Sequence, residues 1–124
     1  MSGVTVTGIH HVSLLVADTA TALAFYVDLL GLEPEPGRPA LGYPGAWLKL
    51  GDRQLHLIEL PNPDPVAGRP AHAGHDRHLA LRVRDIDELQ QRLEQAGISC
   101  TRSRSGRAAL FCRDPDGNGL EFIG

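Results

Sequence analysis

The chain has 124 residues, 42% of them hydrophobic and 22% charged, which fits one globular domain or two very small modules sharing a core. Lys and Arg number 12 against 15 Asp and Glu, a formal net charge of −3 that argues against a general nucleic-acid binder. No apolar run approaches the roughly 20 residues that span a bilayer, and the first residues lack both the charged and the apolar part of a signal peptide, so a cytoplasmic protein without membrane or nucleic-acid partners is expected.

In chain order, residues 8–16 read as a strand, because Val12, Leu14 and Val16 alternate with His11, Ser13 and Leu15. Asp18 then caps a helix over residues 19–30, with Leu23, Tyr26, Val27 and Leu30 at helical spacing and Gly31 as its left-handed stop. Residues 33–45 hold Pro34, Pro36, Pro39 and Pro44 and are expected as loop. Two strands follow, 46–50 and 54–60, around a turn at Gly51-Asp52-Arg53.

Residues 61–77 are rich in Pro and Gly, the composition of a linker or a lid; His72 and His75 are expected there as exposed loop histidines. A strand at 78–83 comes next. Asp85 caps a second helix, with Glu88 three residues on, an apolar stripe of Ile86, Leu89, Leu93 and Ala96, and Gly97 as its stop. Residues 108–113 and 120–123 are strands joined by Asp114-Pro115-Asp116-Gly117-Asn118-Gly119, and 98–102 is a weaker strand. Cys100 and Cys112 form neither a CxxC pair nor a disulfide framework and are expected as free thiols.

The second half repeats the first. His11, Val16 and Asp18 match His78, Val83 and Asp85, each 67 residues apart; Gly31 matches Gly97 at 66, and His56 matches Glu121 at 65. Strand alternation turns Val12, Leu14, Leu55, Leu57, Leu79, Leu81, Leu120 and Phe122 toward a core, and His11, His56, His78 and Glu121 the other way. His10 is expected to point opposite to His11. Three imidazoles and a carboxylate converging on one concave surface would suit a divalent ion such as Zn, Ni, Co, Mn or Fe(II). Arg82 shares the face of His78 by the same alternation. Arg102, Arg104 and Arg107 fall near the rim, most of them as solvated charges, and Trp47 and Phe111 are candidates for pocket lining or for core.

The segments 9–18, Phe25-Tyr26 with Leu30-Gly31-Leu32, His78-Leu79-Ala80-Leu81-Arg82-Val83, and Asp114-Pro115-Asp116-Gly117-Asn118-Gly119-Leu120-Glu121-Phe122 resemble the vicinal oxygen chelate superfamily, the glyoxalase/bleomycin-resistance/extradiol-dioxygenase group, in a glyoxalase I-like single-domain form. The resemblance implies an α+β fold over residues 1–124. Two tandem βαβββ modules, 8–60 and 78–124 around the linker 61–77, would form a curved mixed-sheet cup with helices on its outer face.

The resemblance also implies a homodimer acting on a small molecule, in some members with cups built from two chains. His11, His56, His78 and Glu121 match the metal-ligand positions, and Glu121 and His56 the positions for acid–base work. Arg82, Arg104 and Phe111 are the substrate-contact candidates, with an anionic substrate in view of the Arg-rich composition. Glyoxalase I carries Glu where this chain has His56, which removes a second carboxylate and makes His56 a neutral ligand or an acid–base group. His11, His78 and Glu121 alone match a two-His, one-carboxylate set, so an Fe(II) dioxygenase is the alternative, although extradiol enzymes are much longer. A further alternative is a small-molecule-binding or antibiotic-resistance protein, whose metal-free members generally lack these ligands.

Overall fold

A computed structural model describes residues 3–124. In the first half, β1 (His11–Leu15) leads into α1 (Thr19–Leu23), and β2 (Gly45–Leu50) and β3 (Arg53–Ile58) follow. They form a three-stranded sheet in the order β1-β3-β2, with β1 parallel to β3. In the second half, β4 (His78–Arg82), α2 (Ile86–Gln95), β5 (Thr101–Arg102), β6 (Ala109–Arg113) and β7 (Gly119–Ile123) give a four-stranded sheet in the order β4-β7-β6-β5. This is the expected small α+β architecture.

The strand register is equivalent in the two halves. Ser13 pairs with His56 as Ala80 pairs with Glu121, and Trp47 pairs with His56 as Phe111 pairs with Glu121. The expected loop at 33–45 holds a remnant of the missing fourth strand. Pro34 bridges Leu48, the Glu35 amide donates to Trp47 O at 2.7 Å, and the Lys49 amide donates to Glu33 O at 2.8 Å. Prolines without amide hydrogens keep this contact from growing into a ladder.

Both helix starts follow the sequence. Asp18 accepts from the Thr21 amide at 2.8 Å, and Asp85 from the Glu88 amide at 3.0 Å. Gly31 and Gly97 end the helices at φ 81° and 78°. The first helix is not uniformly α, however: Ala24–Leu29 is a π-helical segment, in which the Leu30 amide reaches back to Phe25 O at 3.0 Å. The wider turn lets the consecutive rings of Phe25 and Tyr26 both enter the core.

One core joins the halves. Leu48, Leu55, Leu57, Phe25 and Tyr26 of the first pack in a single cluster with Leu93, Leu110, Leu120 and Phe122 of the second. Cys112 lies in this cluster with Cys100 packed against it, both free; burial pushes the Cys112 thiol up to about 12, so it stays protonated.

The turn 114–119 reaches across to the first half. Tyr26 Oη donates to the buried Asp114 carboxylate at 2.6 Å, Asn118 Nδ2 donates to Leu15 O at 3.1 Å, and the Ala17 amide donates to Asp116 Oδ1 at 2.9 Å. Burial and Asp114 hold the Tyr26 phenol protonated, so it acts as a fixed donor. Tyr26→Phe is expected to lower the unfolding free energy by about 1.5–3 kcal/mol, the worth of a buried hydrogen bond to a charged group. Guanidinium unfolding checks this, and a change below about 0.5 kcal/mol, typical of a surface substitution, would contradict it.

Candidate metal centre

The strands present the candidate residues in two pairs. On the first sheet the rings of His11 and His56 stack at 4.2 Å and 19°. Trp47 covers the other face of His56 at 4.3 Å and 7°. His56 Nε2 lies 2.8 Å from Gln54 Oε1; with the proton on Nε2, Nδ1 keeps its lone pair. Burial, helped by His11, His10 and Arg38, holds the His56 imidazole below its ordinary pKa and therefore neutral near pH 7.

His10 departs from expectation. It precedes β1, so strand alternation does not govern it, and its Nδ1 comes within 2.8 Å of His11 Nδ1.

On the second sheet His78 and Glu121 meet directly, with Nε2 3.0 Å from Oε1. Glu121 is 3% exposed and lies on β7, between Ala80 of β4 and Phe111 of β6. His78 Nδ1 is 2.9 Å from Asp76 O, which can only accept; the Nδ1 proton is therefore committed to that carbonyl. When Nε2 carries no second proton, its lone pair faces the carboxylate oxygen. Two acceptors at this distance need a proton or a cation between them. The spacing matches the edge between neighbouring ligands of an octahedral ion with bonds of about 2.1 Å. On donor chemistry and spacing, this pair fits a divalent metal. Gly119 pairs with His78 in the register, and a Cβ there would lie 2.8 Å from Arg77 O.

The two pairs do not join within one chain. Among the described residues no group of three or more His, Cys, Asp and Glu could hold an ion. The reason is the direction of the first strands. A groove of about 400 Å³ is lined by Ser13 and Leu15 together with His78 and Asn118, and a second of about 760 Å³ by Gly8 and Ile9 together with Leu81 and Arg82. The edges of β1 and β4 thus run past each other in opposite senses, leaving His11 and His78 toward opposite ends.

The same arrangement places Arg82 in the second groove with Gln54, whereas His78 lines the first. Phe111 is buried between His72 and His78, at centroid distances of 4.6 and 5.5 Å. Arg104 is exposed in the turn after β5; the His72 pKa is depressed by burial first, then by His75, with Arg104 and His78 adding to them.

The linker is tied to the second sheet. His72 Nδ1 is 2.7 Å from Thr101 Oγ1, and the 3₁₀ turn Ala73–His75 follows. His72 is thereby half-buried, whereas His75 is exposed as expected. Asp76 accepts from Arg69 at 2.7 and 3.0 Å and from Arg113 at 2.9 Å, and its own carbonyl orients His78.

A family model described as Glyoxalase/Bleomycin resistance protein/Dioxygenase superfamily matches residues 8–122. The chain belongs to this superfamily. The uncharacterized protein YaeR of Escherichia coli is 34% identical over 121 residues, covering 92% of this chain and 93% of its own. A crystal structure of a glyoxalase-family protein from Bacillus anthracis superposes with a TM-score of 0.78 at 28% identity, covering 98% of this chain and 97% of that one. The fosfomycin resistance protein FosX of Listeria monocytogenes, crystallised with Mn(II) and a dihydroxypropylphosphonic acid, shares the fold with a TM-score of 0.75 at 16% identity, covering 97% and 93%. No helix among the described residues is long and apolar enough to cross a membrane.

The Arg69 and Arg113 guanidiniums hold the Asp76 carboxyl well below the usual carboxylate range. A carboxyl depressed in the folded state stabilises at pH values above its unfolded pKa, about 3.9, and loses that contribution as pH falls through the folded value. Asp76→Asn is therefore expected to lower Tm at neutral pH, with the difference from wild type shrinking below about pH 4. A pH series of thermal melts checks this, and a constant difference down to pH 2 would contradict it.

Proposed function

We propose that the protein is a divalent-metal-dependent enzyme resembling glyoxalase I, whose cup forms between two copies of the chain. The observation that carries this reading is the His78–Glu121 pair, two acceptors aligned for a cation by the Asp76 carbonyl. His11 and His56 of one copy would face His78 and Glu121 of the other, giving four donors. A Zn, Ni, Co, Mn or Fe(II) ion held there would act as a Lewis acid on adjacent oxygens of a small carbonyl or vicinal-oxygen substrate.

The side chains divide the remaining tasks. His56 Nδ1, with a lone pair near neutral pH, takes a proton from the substrate carbon or returns it, unless it is drawn in as the fourth ligand. Glu121 would be the alternative base, taking the proton on Oε1 when that oxygen is released from the ion. Trp47 on one wall and Phe111 on the other exclude water. Arg104 and Arg82 stand ready for an anionic group on the substrate.

The hold of Gln54 and Trp47 on His56 favours one second reading. If His56 stays with them, His11, His78 and Glu121 form a two-His, one-carboxylate set suited to an Fe(II) dioxygenase.

Purified protein is expected to contain metal by elemental analysis, and His78→Ala and Glu121→Ala to lose it; stoichiometric metal in both variants would refute the assignment. Mixing His56→Ala with Glu121→Ala protein is expected to restore metal and turnover, because a mixed dimer rebuilds one intact cup. Failure of the mixture to recover either, with exchange of subunits verified, would overturn the shared cup. Turnover that stops without O₂ would select the dioxygenase.

A further inference from the structure

Glu121 makes two contacts, and they fall on different oxygens. His78 Nε2 faces Oε1 at 3.0 Å, while Arg107 Nη2 donates to Oε2 at 2.5 Å. Arg107 comes from the tight turn between β5 and β6, and that turn braces itself. The Ser103 amide donates to Ala109 O at 2.9 Å, the Ala109 amide to Arg107 O at 2.9 Å, and Ser103 Oγ lies 2.7 Å from Ser105 Oγ. Gly106 supplies the left-handed step at φ 83°. The side chain of Arg107 is 57% exposed, yet its guanidinium ends on a carboxylate that is 4% exposed. A surface residue is thus spent on orienting a buried one.

We propose that Arg107 is a positioning residue that fixes Glu121 as a one-oxygen metal ligand. By occupying Oε2 it leaves Oε1 as the free donor, aimed alongside His78 Nε2, and it stops the carboxylate from rotating to offer both oxygens. The side chains beside Glu121 in the register, Ala80 and Phe111, offer no polar group for this task. Partners that hold a ligand from outside the coordination sphere typically account for 10–100-fold in metal affinity. The inference rests on the reading of His78 and Glu121 as ligands.

The test titrates Mn(II) or Ni(II) alone, by calorimetry, into metal-stripped wild type, Arg107→Ala, Arg107→Lys, His78→Ala, Glu121→Gln and the double variant Arg107→Ala/Glu121→Gln. Arg107→Ala is expected to weaken binding by about 10–100-fold, with Arg107→Lys recovering part of the loss. The double variant is expected to bind no worse than Glu121→Gln, because Arg107 acts only through that carboxylate. If His78→Ala and Glu121→Gln weaken binding while Arg107→Ala binds as well as wild type or better, Arg107 competes with the cation and the proposal falls. Additive losses in the double variant would also overturn it. If His78→Ala and Glu121→Gln leave binding unchanged, the ligand assignment fails first and the proposal with it. Arg107→Ala takes a cation from a buried carboxylate, so its Tm is expected to fall, and that of Arg107→Lys less so; thermal melts and circular dichroism of each stripped variant separate lost affinity from lost fold.

Discussion

The buried carboxylate of Asp114 is the constraint on which the arrangement of the chain depends. A charge removed from water is costly unless its oxygens are satisfied. Here the donors are Tyr26 Oη, Asn118 Nδ2 and the amides of Asp116 and Asn118. All but one come from its own turn. The exception, Tyr26, belongs to the first half, so the carboxylate is fully satisfied only when the halves dock in this one way. That docking merges the two apolar faces into one core, turns the polar faces of both sheets outward, and sets β1 against β4 in opposite senses.

The chemistry of the polar faces follows from this geometry. Each half carries a pair of donors, and the pairs differ in character. His11 and His56 are aromatic partners in a stack with Trp47, with His56 neutral through partial burial. His78 and Glu121 are held in a fixed orientation by groups that do not face the cup, the Asp76 carbonyl on one and Arg107 on the other. Asp76 in turn is locked by two guanidiniums, so the linker acts as a rigid support for His78 rather than a loose tether.

Much of this was legible in the residues. The alternation Val12/Leu14 against His11/Ser13, repeated in Leu79/Leu81 against His78/Ala80, identifies the strands and their faces because one sheet face must be buried. The helix caps at Asp18 and Asp85 and the stops at Gly31 and Gly97 follow local backbone chemistry and were equally readable. Three features were not. The π-helical segment accompanies the burial of two consecutive rings, Phe25 and Tyr26, a tertiary feature that helical spacing does not show. His10 escapes the face rule because the strand begins one residue later. The separation of the four candidate ligands into two pairs reflects how the modules dock, which a periodicity within each module does not encode. The importance of Arg107 was hidden for a similar reason: only the fold of its turn aims it at Glu121.

The stack on the first sheet has a spectroscopic consequence. Trp47 is the single tryptophan of the chain, and its indole lies nearly parallel to the His56 imidazole at 4.3 Å. Excited indole is sensitive to whatever shares its face, so the emission of this protein originates at one wall of the cup. Changes at His56, whether through a proton, an ion or a second copy of the chain, therefore register as light from a native chromophore, without any label.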